Sequence, residues 1–281
     1  MSSAQRRRLV VSIVLYNNAI DQVASAIRSC LTDVGGRLET IVVLVDNSPT
    51  DALRELTSID DRIQYRFMNA NVGYGAGHNI VLQNDSLRAD YNLVLNPDMI
   101  FNPMILVGLT DYMDSNNNTG LCIPGILYPD GSFQNVAKLL PTPSNLILRR
   151  FQFLKTLTER SNAVYELKGV QRTREIQAPF LSGCFMFIRS SILRTVGYFD
   201  ERYFMYLEDV DLSRRIYKSS NCVYLPEFRA FHEHQKQSYK SNRLLKIHIS
   251  SAIKYFVKWG WLFDKERAQI NAEVRKKYGL S

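Results

Sequence analysis

The sequence predicts an α/β fold with a mostly parallel central sheet flanked by helices, and three observations carry that prediction. Near-continuous apolar, β-branched runs recur at 9–16, 40–45 and 91–95, as strands covered on both faces require. Between the first two, Ile20, Val23, Ala24, Ile27 and Leu31 repeat at helical spacing. Each apolar run also ends in polar residues: Tyr16-Asn17, Asp46-Asn47 and Asn96-Pro97-Asp98. Alternation of strand and helix is the pattern of a doubly wound sheet, whose ligands bind beyond the carboxyl ends of the strands. Taken singly, each polar end also fits a turn or a helix cap.

The elements follow in order. Residues 62–67 alternate and make a third strand, with a helix expected between it and the second. Next comes Asn69-Ala70-Asn71-Val72-Gly73-Tyr74-Gly75-Ala76-Gly77-His78-Asn79, a loop with glycines at alternate positions that leads into a helix. Such glycines either let backbone N–H groups approach a phosphate or simply loosen the loop. Their spacing is not the GxGxxG of dinucleotide-binding units, which argues against a nicotinamide enzyme. A helix is expected from Asn102-Pro103 to about Met113, and Tyr128-Pro129-Asp130-Gly131-Ser132 reads as a turn between short strands. From Pro141 to about Gln177 periodicity gives way to an irregular, partly helical excursion. Residues 180–188 then read as one buried strand, and 190–196 as a short helix.

The chain has 281 residues, 46% of them hydrophobic, enough for one large core, and 35 basic against 27 acidic residues leave a net charge of +8. That balance suits anionic partners: nucleic acid, acidic lipid or phosphorylated small molecules. The basic clusters, at Arg6-Arg7-Arg8, at Arg149-Arg150 and from Lys236 onward, carry no zinc-finger or recognition-helix pattern, so a nucleic-acid partner is not expected. Cys30, Cys122, Cys184 and Cys222 form no CxxC pair and read as reduced core residues. No signal peptide is evident and no apolar run is long enough to span a bilayer, so a cytoplasmic location is expected.

Three carboxylates fall within four residues at Glu208-Asp209-Val210-Asp211, after the aromatic run Tyr203-Phe204-Met205-Tyr206. Val210, Leu212 and Ile216 mark a helix with a buried stripe, while Ser213, Arg214 and Arg215 form its polar side. Glu208 and Asp209 at its start are either ordinary first-turn acids or a functional pair. Downstream, His232 and His234 lie two apart on a strand and share a face, as surface residues or as ligands. The C-terminal part, with Ile247, Ile249, Ile253, Phe256, Val257, Trp259 and Trp261 among Lys254, Lys258 and Lys265, is helical. It either packs on the main domain or lies on a membrane headgroup surface.

With these pieces in hand, the sequence resembles the family 2 glycosyltransferases, and within them a rhamnosyltransferase-like group. The matching pieces are Val11-Ser12-Ile13-Val14-Leu15-Tyr16-Asn17, Val45-Asp46-Asn47-Ser48, Asn71-Val72-Gly73-Tyr74-Gly75, Leu95-Asn96-Pro97-Asp98, Phe180-Leu181-Ser182-Gly183-Cys184, Gly197-Tyr198-Phe199-Asp200-Glu201 and Glu208-Asp209-Val210-Asp211. They occur in the family's order over roughly 9–240. The resemblance implies a GT-A fold, Rossmann-like, in a domain over 1–240 with a C-terminal helical extension over 241–281. The nucleotide-binding half would take in about 1–100, and the acceptor and catalytic half about 101–240.

It further implies an inverting transfer from a nucleotide-sugar donor, with a divalent metal, Mn2+ or Mg2+. The donor side would involve Leu15, Tyr16, Asn17, Asp46, Asn47, Gly73, Gly75, Asn79, Asn96 and Asp98. Asp46 would accept the imide N–H of thymine or uracil. Asp98 matches the metal-binding aspartate of a DXD motif whose first position is Asn96 here, which leaves fewer charged ligands. His232 would complete the metal or diphosphate site, with His234 as competing choice. Asp209 would be the general base, with Glu208 or Asp211 either supporting it or orienting Arg214 and Arg215, and Ser182, Gly183 and Phe204 would line the acceptor side. His234, Lys236, Ser238 and Lys240 would form a loop over the diphosphate. The implied donor is dTDP-L-rhamnose, or a UDP-sugar as the alternative. The implied acceptor is a bacterial surface polysaccharide (O-antigen or capsule) or its lipid-linked precursor, reached with peripheral contact to the anionic inner face of the cytoplasmic membrane.

Overall fold

The computed structural model describes residues 6–31, 36–148, 155–232 and 242–280. The first apolar run forms β1 (Arg7–Leu15), whose Leu9, Val11, Ile13 and Leu15 are completely buried. Burial of each such side chain contributes about 1.5–3 kcal/mol, so this strand anchors the core. Then follow α1 (Ile20–Leu31), β2 (Leu38–Asp46), β3 (Ile63–Phe67), α2 (Tyr74–Leu82) and β4 (Tyr91–Leu95). Strands β3, β2, β1 and β4 pair in that order, all parallel, and registers such as Leu15 opposite Asp46 bring their carboxyl ends level. Between β2 and β3 the expected α-helix is a 3₁₀ helix, Ala52–Ile59. Its buried residues, Leu53 and Leu56, are three apart, a repeat that suits three residues per turn.

The chain continues through β5 (Met99–Phe101), α3 (Met104–Ser115), β6 (Thr119–Leu127), β7 (Ala137–Lys138), α4 (Pro143–Leu148), α5 (Lys155–Tyr165), β8 (Ile176–Gln177) and β9 (Phe180–Leu181). Next are β10 (Phe185–Arg189), α6 (Ser190–Val196), α7 (Glu208–Tyr217) and β11 (Asn221–His232). These strands extend the same sheet in the order β4-β10-β6-β11-β5, with β8 also on β11. Strands β10 and β5 run against their neighbours. β6 is not the short strand expected before the turn at Tyr128: it has nine residues, all buried. Gly120, Pro124 and Gly125 inside it masked its β character in the sequence. The single strand expected over 180–188 is two. Strands β9 and β10 belong to different sheets and part at Ser182-Gly183-Cys184. There Ser182 N–H donates to the Val136 carbonyl, still on the β7 side, and Gly183 N–H turns to the Asp209 side chain, so the ladder ends before β10 begins.

Two helices close the chain, α8 (Asn242–Trp259) and α9 (Lys265–Lys277). They do not stand apart from the domain. Tyr255, Phe256 and Ile270 form one buried cluster with Leu140, Phe180, Tyr203, Leu207 and Val210. The four cysteines are buried and free, as expected of core residues. Among the described residues, no helix is long and apolar enough to cross a membrane.

Candidate active site

The ends of β1, β2 and β4 converge as the topology requires. Asp46, fully buried, accepts from its neighbour Ser48 N–H at 2.8 Å and from the Tyr65 hydroxyl at 2.5 Å. Leu15 is buried, Tyr16 is exposed, and Asn17 turns through a left-handed conformation (φ 54°) with its N–H on Ser48 Oγ. Asn47 donates to the Gly73 carbonyl at 3.2 Å, which leaves its buried Oδ1 without a partner. Gly73 has φ 92°, and a Cβ there would sit 2.3 Å from the Phe204 carbonyl oxygen. Only glycine fits.

The alternate glycines differ from the loop the sequence suggested, because α2 begins at Tyr74 and takes in Gly75 and Gly77. A Cβ on Gly75 would meet Phe199 at 3.0 Å, and one on Gly77 would meet Val14 at 2.8 Å. They are therefore packing glycines that let α2 lie close to β1. Asn79 is likewise spent within the protein: its amide bonds both the N–H and the carbonyl of Phe199, and Glu201.

Tyr74 links the two sides of the crevice. Its hydroxyl oxygen lies 2.7 Å from the Gly183 carbonyl and 3.0 Å from Asn96 Oδ1, so one hydrogen serves two acceptors. Beside it, His232 Nε2 is 3.1 Å from Asp98 Oδ1 and 3.4 Å from Asn96 Nδ2. On the far side of the ring, Nδ1 lies 3.1 Å from Gln134 Oε1. Gln134 is oriented by its own amide nitrogen, which points at the Leu127 and His232 carbonyls. In a neutral imidazole this places the hydrogen on Nδ1 and the lone pair on Nε2. Asp98 Oδ1 is buried and has no hydrogen-bond partner. Two electron-rich atoms thus face each other across 3.1 Å. That arrangement fits a cation that they would share with ligand oxygens and water. Among the described residues no group of three His, Cys, Asp or Glu gathers for a metal, so these two would be the protein's contribution.

At the start of α7, Asp209 Oδ2 accepts from Gly183 N–H at 2.9 Å, and Oδ1 accepts from Val210 N–H at 2.9 Å. Gly183 leaves room for this: a Cβ there would come 3.2 Å from Asp209 Cβ. Burial raises the Asp209 carboxyl above its ordinary value, against the two N–H bonds that favour the charged form. Glu208 is raised well above its own, by burial first and then by Asp209; its Oε2 is buried without a partner. Tyr206 (φ 70°) and Leu207 (φ 67°) are both left-handed just before this pair. Each such residue costs roughly 1–3 kcal/mol, and surrounding packing holds them there. Phe204 meets α2 through its carbonyl, which accepts from Tyr74 N–H at 2.8 Å, while Ser182 N–H is turned to the Val136 carbonyl.

Asp211, expected either to support Asp209 or to orient Arg214 and Arg215, lies on the other side of α7 and does the second for Arg215. Its oxygens, fully buried, are taken by Arg215, Trp259 Nε1 and Lys258. Arg214, placed by the sequence on a polar side, is 1% exposed. It pairs in a fork with Asp264 (2.7 and 2.8 Å), reaches Glu266, and stacks 4.0 Å from the Trp259 ring. Sequence reasoning missed Tyr74, Gln134 and this arginine. The tyrosine sat among glycines that drew attention to backbone, and the partners of Arg214 lie 50 and 52 residues on. His234, Lys236, Ser238 and Lys240 lie outside the described residues.

Comparison with known proteins completes the picture. The family model for glycosyl transferase family 2 matches residues 10–197. The chain is 30% identical over 209 residues to the low-salt glycan biosynthesis hexosyltransferase Agl10 of Haloferax volcanii, covering 74% of this chain and 61% of that protein. It is 30% identical to an N-acetylglucosaminyl-diphospho-decaprenol L-rhamnosyltransferase of Mycobacterium tuberculosis, covering 68% and 66%. To the rhamnosyltransferase WbbL of Escherichia coli it is 28% identical, covering 71% and 76%. The match thus spans under two thirds of the first two relatives' length. By fold, it resembles GalNAc-T7 solved with UDP, GalNAc and Mn2+ (TM-score 0.68, 14% identity, 99% of this chain and 55% of that one). It also resembles S. aureus TarS 1–349 in complex with UDP (TM-score 0.57, 14% identity, 95% and 70%). These likenesses agree with the GT-A fold that the sequence implies. The chain belongs to glycosyl transferase family 2.

Proposed function

We propose that the chain is an inverting, metal-dependent glycosyltransferase that moves L-rhamnose from dTDP-L-rhamnose to a surface-polysaccharide or lipid-linked glycan acceptor. One observation carries the reading. The Asp98–His232 pair and the Asp209 carboxylate are tied through a short chain of contacts, Asn96 to Tyr74 to Gly183 to Asp209. A cation-ready pair and a base held a few side chains apart are what a single displacement at an anomeric carbon needs.

In this reading, residues up to about 100 hold the donor, 101–240 supply the acceptor side, and 241–281 form an extension. Asp98 and His232 would hold the divalent cation, Mn2+ or Mg2+, whose charge would neutralise the leaving diphosphate. An acceptor hydroxyl oxygen forms the bond to the anomeric carbon as the bond to the diphosphate oxygen breaks, and the hydroxyl proton passes to Asp209. The Gly183 N–H keeps one carboxylate oxygen fixed, so the base is oriented before the acceptor arrives. Burial raises both carboxyls, Glu208 the further, so of the two Asp209 gives up its proton more readily and is the base in this reading. The relatives named rhamnosyltransferase support the sugar, while the relative named hexosyltransferase supports the UDP-sugar alternative.

Calorimetry with dTDP, UDP, GDP and NAD, each with and without Mn2+, tests the proposal. Mn2+-assisted binding of dTDP over UDP is expected. A preference for UDP would replace the sugar and keep the chemistry. No nucleotide binding would leave a non-catalytic adaptor on this fold.

A further inference from the structure

The two C-terminal helices have one face that the domain uses and one that it does not. Inward, Ser251, Tyr255 and Phe256 of α8 are buried, and Ser251 Oγ donates to the Met205 carbonyl at 2.8 Å. Outward, Ile249 (49% exposed), Ile253 (47%) and Val257 (71%) recur every fourth residue and make one stripe. The stripe runs into the turn before α9, where Trp261 is 43%, Leu262 77% and Phe263 95% exposed. This turn is built. Arg267 donates to the Gly260 and Trp261 carbonyls, and the Phe256 ring packs 5.2 Å from Trp261. A fixed, continuous ridge of six large apolar side chains differs from scattered exposed residues, which need no explanation.

The charges around the ridge name its partner. From Asn242 to Phe263 the chain has four basic residues, Arg243, Lys246, Lys254 and Lys258, and no acidic one. Lys258 is paired with Asp200 and Asp211 and Lys254 donates to the Arg202 carbonyl, so the exposed Arg243 and Lys246 carry most of the charge this face offers. The carboxylates beyond the ridge, Asp264 and Glu266, are occupied by Arg214 and Lys218. A second copy docking by a two-fold axis would set these cations against their own images. An anionic bilayer would take the apolar ridge between its headgroups and the cations at its surface. We infer that the outer face of α8 and the α8–α9 turn form a docking surface for an anionic membrane.

Docking there has a consequence for the site. His248 stacks edge-on to Tyr206 at 5.3 Å, and a groove of about 480 Å³ lies between Phe204 and Arg243, Lys246 and Ile247. The run that leads into the Glu208-Asp209 pair therefore rests on the docking helix. An acceptor anchored in the bilayer would be presented to that side.

The test is co-sedimentation of the full chain with phosphatidylcholine vesicles, with and without phosphatidylglycerol. Sedimentation with the anionic vesicles is expected, weakened by salt, with a blue shift of tryptophan emission and quenching by brominated acyl chains. The Leu262→Ser/Phe263→Ser variant should lose at least about tenfold in partition, as removing two buried apolar side chains implies, with an unchanged melting temperature and unchanged nucleotide binding. Arg243→Gln/Lys246→Gln should remove most of the salt dependence. No sedimentation of the wild type, equal sedimentation of the serine variant, or a dimer that this variant dissolves in the absence of vesicle binding would each overturn the inference. Because nucleotide binding is read separately, failure here is distinct from failure of the proposed activity.

Discussion

The strand-end side of the crevice and its α7 side are held in place by different means. At the ends of β1 and β2, position is set between adjoining strand ends and loops of the same sheet: Asp46 is fixed by Ser48, Asn17 by Ser48, and Asn47 by the turn at Gly73. On the other side, α7 is held by elements outside the sheet. Arg214 reaches Asp264 and Glu266, and Asp211 reaches Lys258 and Trp259, all in the C-terminal helices. A sheet edge can be specified by neighbours in the ladder. A helix whose first turn carries two crowded carboxylates, after two left-handed residues, needs an outside clamp.

This contrast can be broken or sharpened by substitution. The largest effect is expected from Asp209→Asn, which should lower turnover about 10³-fold or more while donor affinity stays near wild type. Single-turnover assays beside calorimetry would separate the two, and unchanged turnover would remove Asp209 as base. Arg214→Met should follow, since it leaves the buried Asp264 with only the Arg267 N–H at 2.9 Å and a looser Arg267 contact at 3.8 Å: a loss of about 3 kcal/mol, read in chemical unfolding. If donor affinity fell as steeply as stability, the two sides would not be separately built. Asp98→Ala should weaken Mn2+-dependent nucleotide binding by roughly tenfold, within the range of ligand-shell losses, and leave the melting temperature nearly unmoved. An effect that ignores added metal would count against its role.

The smallest effect is expected from Glu208→Gln. A carboxyl raised in the folded state binds its proton more tightly there than when unfolded, so its stabilising contribution is present at low pH. That contribution is lost as pH rises from the ordinary glutamate value through the raised one. Replacing it with a neutral amide should raise the melting temperature by about 2–4 °C at neutral pH and by less at pH 4. For Asp209, raised in the same direction, the activity profile should fall on the acid side above the pH where an ordinary aspartate titrates.

The parallel half of the sheet was legible because it is written in consecutive residues. Continuous apolar runs named β1, β2 and β4, and the polar residue after each run named the crevice. What stayed hidden depends on pairing across the chain. The glycines looked like a phosphate loop until Val14 and Phe199 were seen against them. β6 hid behind Gly120, Pro124 and Gly125, which the strand tolerates because β10 pairs only with Leu121 and Cys122 and the β11 register shifts opposite Pro124 and Gly125. Gln134 gave no signal at all, since only the fold brings it to His232. Arg214 looked like surface because a sequence reports polarity and not the partner that neutralises it.

The clamp on α7 also has a meaning in time. A chain emerging from the ribosome exposes every stretch matched by the family model, residues 10–197, well before Asp264 and Glu266 exist. Strands β1 to β4 and the crevice at their ends can form early in synthesis, because their pairings lie within residues 7–95. Arg214 lacks Asp264 and Glu266 until the start of α9 is made, so α7 is clamped only after translation has passed it.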